Sequence, residues 1–156
     1  MGTINGIVKR AKITEERLVD QVKSIKEAGR EFTTRLWNRD FSVVEELVDS
    51  DIVFHSMLGE FHGKEALLDV AETWLKAFPD MHLTILIAIA ENETVSIQWN
   101  VKATHLGEFK MVAPTGKPVN YSGTAVYRFK EGKIIEFWSY LDLYDLMHQI
   151  QSGTYP

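Results

Sequence analysis

Cysteine is absent from the 156 residues, which excludes disulfides, thiolate zinc sites, iron–sulfur clusters and cysteine nucleophiles. Long hydrophobic runs are also missing: nowhere do about eighteen apolar residues follow one another, so no helix of this chain is expected to cross a membrane. The first residues, MGTINGIVKRAK, lack the apolar core of a signal peptide, and a cytoplasmic protein is expected. Basic clusters are lacking too. With 17 Lys and Arg against 22 Asp and Glu and a net charge of -5, nothing resembles the footprint left by a phosphate backbone, and nucleic acid is not an expected partner. No glycine-rich phosphate cradle occurs, because Gly116-Lys117 runs into Pro118 and has no earlier glycine at the required spacing. No serine sits in a nucleophile elbow. The five histidines, at 55, 62, 82, 105 and 148, share no paired helical or strand spacing, so a metal site is not expected.

What is present is an average globular composition, 45% hydrophobic and 25% charged, in a chain long enough for one core and too short for two ordinary domains. A single domain over residues 1–156 is expected, with 1–13 as a poorly ordered extension. Helical spacing dominates the first half. Leu18, Val22, Ile25, Phe32 and Leu36 recur every three, four or seven residues from Thr14 to Asn38. Asp40 has the chemistry of an N-cap for a short helix carrying Phe41, Val44, Leu47 and Val48. A short apolar strand follows at Ile52–Ser56, and Gly63–Phe78 is helical again until Pro79 stops it. Beyond Pro79 the period changes to two. Helices first and strands later point to an α+β fold, with helices on one face of an antiparallel sheet.

The strands can be registered. A three-residue loop at Glu91–Glu93 pairs Ile89 with Val95, Ile87 with Ile97, Ile85 with Trp99 and Leu83 with Val101, giving one wholly apolar face that continues along Ala103 to His105. A two-residue turn at Glu131-Gly132 sets Phe129 opposite Ile134, Tyr127 opposite Glu136, Ala125 opposite Trp138, Gly123 opposite Tyr140 and Tyr121 opposite Asp142. That register expects an aromatic face with small residues at its centre, the composition of a ligand pocket or of an ordinary aromatic core. The candidate substrate-binding walls are Trp99, Tyr121, Trp138, Tyr140, Phe54 and Trp74. The candidate proton carriers are Asp142, His105 and His55. On the opposite face the same register leaves Val126, Ile135, Phe137 and Leu141, a partly apolar surface suited to a homodimer contact.

ATHLGEF followed by PTGKPVNYSGTAVYRFKEGKIIEFWSYLD, with LWNRDFSVVEELVDSDIVFHS and GKEALLDVAETWLKAFPDMHL upstream, resembles the SnoaL-like polyketide cyclases (ester cyclases) of the nuclear-transport-factor-2-like superfamily. The resemblance runs from about Trp37 to Ile150. It implies a cone-shaped barrel, a strongly curved sheet with N-terminal helices on its concave face around an apolar pocket, a homodimer or tetramer, and no cofactor. It further implies that Asp142, three places after Ser139 in WSYLD, is the acid/base of an intramolecular aldol closure on a small or medium apolar carbonyl compound. Two other readings stand beside it. One is a non-catalytic domain that binds a small hydrophobic ligand; the other is an isomerase or epoxide hydrolase on the same fold. Asp142 separates catalysis from binding: burial beside Tyr121 favours the former, whereas a role as the N-cap of a C-terminal helix favours the latter.

Overall fold

The computed structural model describes residues 4–152. The elements run α1 (Ile4–Trp37), α2 (Ser42–Leu47), β1 (Val48–Ser56), β2 (Gly59–His62), α3 (Gly63–Ala77), β3 (His82–Glu91), β4 (Thr94–Thr104), β5 (Pro118–Lys130), β6 (Lys133–Leu141) and α4 (Leu143–Ser152). They form an α+β fold around one curved, open sheet of six strands in the order β2-β1-β6-β5-β4-β3. The sheet is not wholly antiparallel as expected: β1 runs parallel to β6. That parallel contact closes the sheet between its helical first half and its hairpin second half. Helix α1 packs on β3 and β4 and α3 on β1, both over the inner face, while α4 lies against β5.

Of the helical stripe read from the sequence, Ile25, Phe32 and Leu36 are buried, each no more than 6% exposed, whereas Leu18 is 58% exposed. Helix α1 starts earlier than Thr14, at Ile4; residues 1–3 of the expected N-terminal extension lie outside the described residues. Asp40 does not cap α2. Phe41 holds that position without a side-chain cap, and the Asp40 carboxylate instead accepts from Arg35 Nε at 2.6 Å. Asp40 Oδ1 accepts the hydroxyl of Ser42 at the start of α2, and Arg35 reaches Glu31 and Glu46 as well.

Both hairpins depart from the expected register by one residue over part of their length. In β3/β4 the turn has two residues rather than three, since Glu91 pairs with Thr94 and Asn92 takes a positive φ of 52°, which asparagine tolerates. Ile87 and Ile89 then face outward, opposite Gln98 and Ser96, and Ala88 and Ala90 face the core. Two small residues suit the place where α1 crosses the sheet. A bulge at Leu86 restores the expected pairs Ile85–Trp99 and Leu83–Val101.

The β5/β6 turn is as expected, pairing Lys130 with Lys133 and Phe129 with Ile134. A bulge at Ile135 then shifts the pairing, so that Tyr127 meets Phe137, Ala125 meets Ser139 and Gly123 meets Leu141. One extra residue turns every later side chain of β6 to the opposite face. Phe137, Ser139 and Leu141 therefore point inward. Trp138 and Tyr140, expected as pocket walls, point outward.

Candidate functional site

The inner face of β4 is apolar and buried from Val95 through Ile97, Trp99, Val101 and Ala103. Opposite it stands α3, whose spacing presents Leu67, Val70, Ala71 and Trp74 inward. Between them lies a partly open cavity that leaves about 40 Å³ in which a water-sized molecule can be centred. One water needs roughly 10–15 Å³, so the space is larger than a single water requires. Its walls include Leu36, Phe54, Trp74, Trp99, Tyr121 and Phe137, with the tip of the β1–β2 hairpin, Ser56 to Leu58, at one side.

Of the residues expected to bind substrate, Phe54, Trp74, Trp99 and Tyr121 line the cavity, and Trp138 and Tyr140 do not. Tyr140 is 55% exposed on the outer face, and Trp138 stacks there on His55 at 5.3 Å between ring centroids. The lining that sequence reasoning missed comprises Phe137, Ser139 and Leu141, displaced inward by the bulge, and Trp37, Met57 and Met81. Only the Ile135 bulge would have revealed the first three, and nothing in Lys133–Glu136 marks it.

No lining side chain carries a full charge. The polar side chains among the lining residues are Ser56, Ser139, Tyr121, Trp37, Trp74 and Trp99. Tyr121 stands apart among these. It is 5% exposed, its hydroxyl has no hydrogen-bond partner among the described residues, and burial pushes its pKa well above the usual phenol range. It is a neutral donor held in an apolar enclosure.

The three expected proton carriers lie elsewhere. Asp142 is exposed at the start of α4; its Oδ1 accepts the Asp145 backbone N–H at 2.9 Å, the geometry of an N-cap. The expected neighbourhood with Tyr121 is lost because the bulge turns Asp142 to the other side of the strand. His105 is fully buried just beyond β4, where its Nδ1 accepts the Thr115 backbone N–H at 3.3 Å and lies 3.0 Å from Thr115 Oγ1. Desolvation lowers its pKa, which keeps the ring neutral. Phe78 packs on both the His105 and Tyr121 rings, and His105 does not reach the cavity lining. His55 faces outward in β1, with Nε2 3.0 Å from Glu136 Oε1 and Nδ1 3.2 Å from Glu60 Oε2.

Residues 27–150 match the family model described as SnoaL-like polyketide cyclase. Similar solved structures include AclR of Streptomyces galilaeus, a provisional hydroxylase, at 29% identity over 86% of each chain with a TM-score of 0.75. IdmH of Streptomyces antibioticus, a provisional polyketide cyclase, is 25% identical, covering 82% of this chain and 97% of its own, with a TM-score of 0.69. A provisional SnoaL-like polyketide cyclase from Jannaschia shares the fold at 19% identity and a TM-score of 0.74, over 81% of this chain and 93% of its own. No curated protein matches significantly.

Proposed function

The chain belongs to the SnoaL-like polyketide cyclase family, and from that premise we propose that its cavity holds a small, uncharged, largely apolar carbonyl compound oriented by the hydroxyl of Tyr121. The observation that carries this reading is the buried, unpartnered hydroxyl in a lining without charge. Leaving such a group unsatisfied costs about 1–3 kcal/mol, a cost that a ligand carbonyl accepting the phenolic O–H removes. An anionic ligand would lose its hydration and meet no counter-charge. Aromatic walls at Phe54, Trp74 and Trp99 favour a flat or unsaturated partner. Calorimetry with a matched pair, acetophenone and benzoate, tests the reading: the ketone binds and the carboxylate does not. Equal binding of the two would reject it.

A second reading is favoured by family membership. It is a cofactor-independent, aldol-type closure in which the walls bring two ends of a substrate together, Tyr121 stabilises the developing enolate oxygen, and Asp142 carries the proton, with His105 or His55 as relay. A proton carrier must come within about 2.6–3.2 Å of its proton, or reach it through one water. The capping geometry of Asp142 supports the binding reading over this one, and substitution at Asp142 separates them.

We also propose a homodimer through the outer face of the sheet. Its apolar part consists of Ile87, Ile89, Val126 and Tyr140, of which Ile87, Ile89 and Tyr140 are 48–62% exposed. Phe137 and Leu141, expected on that surface, belong to the cavity instead. Sedimentation at tens of micromolar should give a dimer, and a monomer there would reject it.

A further inference from the structure

We propose that His55 is a proton-operated latch on the rim of the cavity: charged, its ring adds a side-chain clamp between β1 and the edge strand β2, which are otherwise joined by their backbone ladder, and loss of its proton loosens the hairpin tip. The role of the tip as a rim rests on the cavity reading above; the latch itself does not.

Strand β2 is four residues long, lies at the sheet edge and pairs with β1 alone. The turn before it supplies Ser56, Met57 and Leu58 to the cavity wall. Across the outer face a line of alternating charge joins four strands. His62 Nε2 lies 3.1 Å from Glu60 Oε1 on β2. Glu60 Oε2 lies 3.2 Å from His55 Nδ1 on β1. His55 Nε2 lies 3.0 Å from Glu136 Oε1 on β6, and Glu136 Oε2 accepts Arg128 Nε from β5 at 3.0 Å. Trp138 of β6 stacks on the His55 ring and fixes its plane.

Both ring nitrogens of His55 thus face carboxylate oxygens, and only the doubly protonated ring donates to both. The neutral ring has one N–H. Retained on Nε2, it continues to serve Glu136, which Arg128 also holds in place. Nδ1 then turns a lone pair toward Glu60, and that contact becomes repulsive. The remaining partner of Glu60, His62, sits on the same strand and cannot fasten β2 to anything else. The latch is therefore closed while the ring is doubly protonated and lost when it gives up a proton.

Hydrogen exchange of residues 57–61 in the free protein tests this without any ligand, so its failure is distinct from failure of the binding reading. After correction for the intrinsic rate, exchange at pH 8 should be about two- to fivefold faster than at pH 5.5, the range corresponding to a partly exposed ion pair. In His55→Gln and Glu60→Gln the corrected rates should be equal at the two pH values. Sedimentation should give the same mass at both. Wild-type protection that ignores pH, variants that keep the difference, or a difference that follows a change in assembly would each overturn the latch.

Discussion

Trp99 lies across the bare Cα of Gly123: a Cβ there would come within 2.4 Å of the Trp99 ring and 2.4 Å of the Tyr140 carbonyl oxygen. The indole can therefore lie flat along β5 and leave room in front of it. Gly123→Ala is expected to push Trp99 into the cavity, to cost about 1–3 kcal/mol through overpacking, and to abolish acetophenone binding. Urea unfolding and calorimetry check the two effects. An alanine variant with wild-type stability and binding would show that the contact does not shape the cavity.

Tyr121→Phe removes a hydroxyl that has no partner among the described residues. Stability should stay level or rise by up to about 1 kcal/mol, whereas affinity for a neutral carbonyl ligand should fall about tenfold. Most core substitutions lower stability, so this opposite pairing marks a group retained for binding.

Asp142 caps α4 through the Asp145 N–H. Asp142→Asn should melt within a few tenths of a kcal/mol of the wild type, and Asp142→Ala should lose about 1 kcal/mol. Ligand affinity should be unchanged in both. If a turned-over substrate is identified and Asp142→Asn loses a hundredfold or more in rate, the cyclase reading replaces the binding one.

Much of this arrangement was legible in the sequence. Val95 to Ala103 alternate so strictly that their burial on one face could be read directly, and Glu131-Gly132 announces its turn by chemistry. Trp99 and Tyr121 were placed by the alternation of their strands. Trp138 and Tyr140 were not, because a bulge costs one residue and leaves no mark in a run as uniformly apolar as Ile134-Ile135. The pattern of β6 fits either register, since Phe137 and Leu141 are as apolar as Trp138 and Tyr140. Asp142 followed the same error, and its capping geometry was the alternative that Leu143 to Ile150 had already suggested. Strand β2 escaped notice because four residues carry too little periodicity.

Acid should destabilise the protein in two stages. The unfolded chain takes up a proton on His105 near the ordinary imidazole value of 6.5, while the buried ring resists it. Stability is therefore full above about pH 6.5 and falls as pH drops below it. Asp40 and Glu46, each bonded to Arg35, and Glu136, bonded to His55 and Arg128, are held below their ordinary values of 3.8 for Asp and 4.5 for Glu. Their contribution is present above those values and is lost as pH falls through the lower folded ones. Being exposed, these pairs should weaken with salt. Thermal melts from pH 8 to 3 should show both limbs, and His105→Gln should remove only the upper one; persistence of the upper limb would assign it to another group.

The most direct measurement is a crystal structure of the protein with acetophenone. The account predicts the ring among Phe54, Trp74 and Trp99, with the carbonyl oxygen about 2.6–3.0 Å from Tyr121 Oη. A ligand seated on the outer face beside Trp138 and Tyr140, or one inside the cavity whose carbonyl ignores Tyr121, would contradict it.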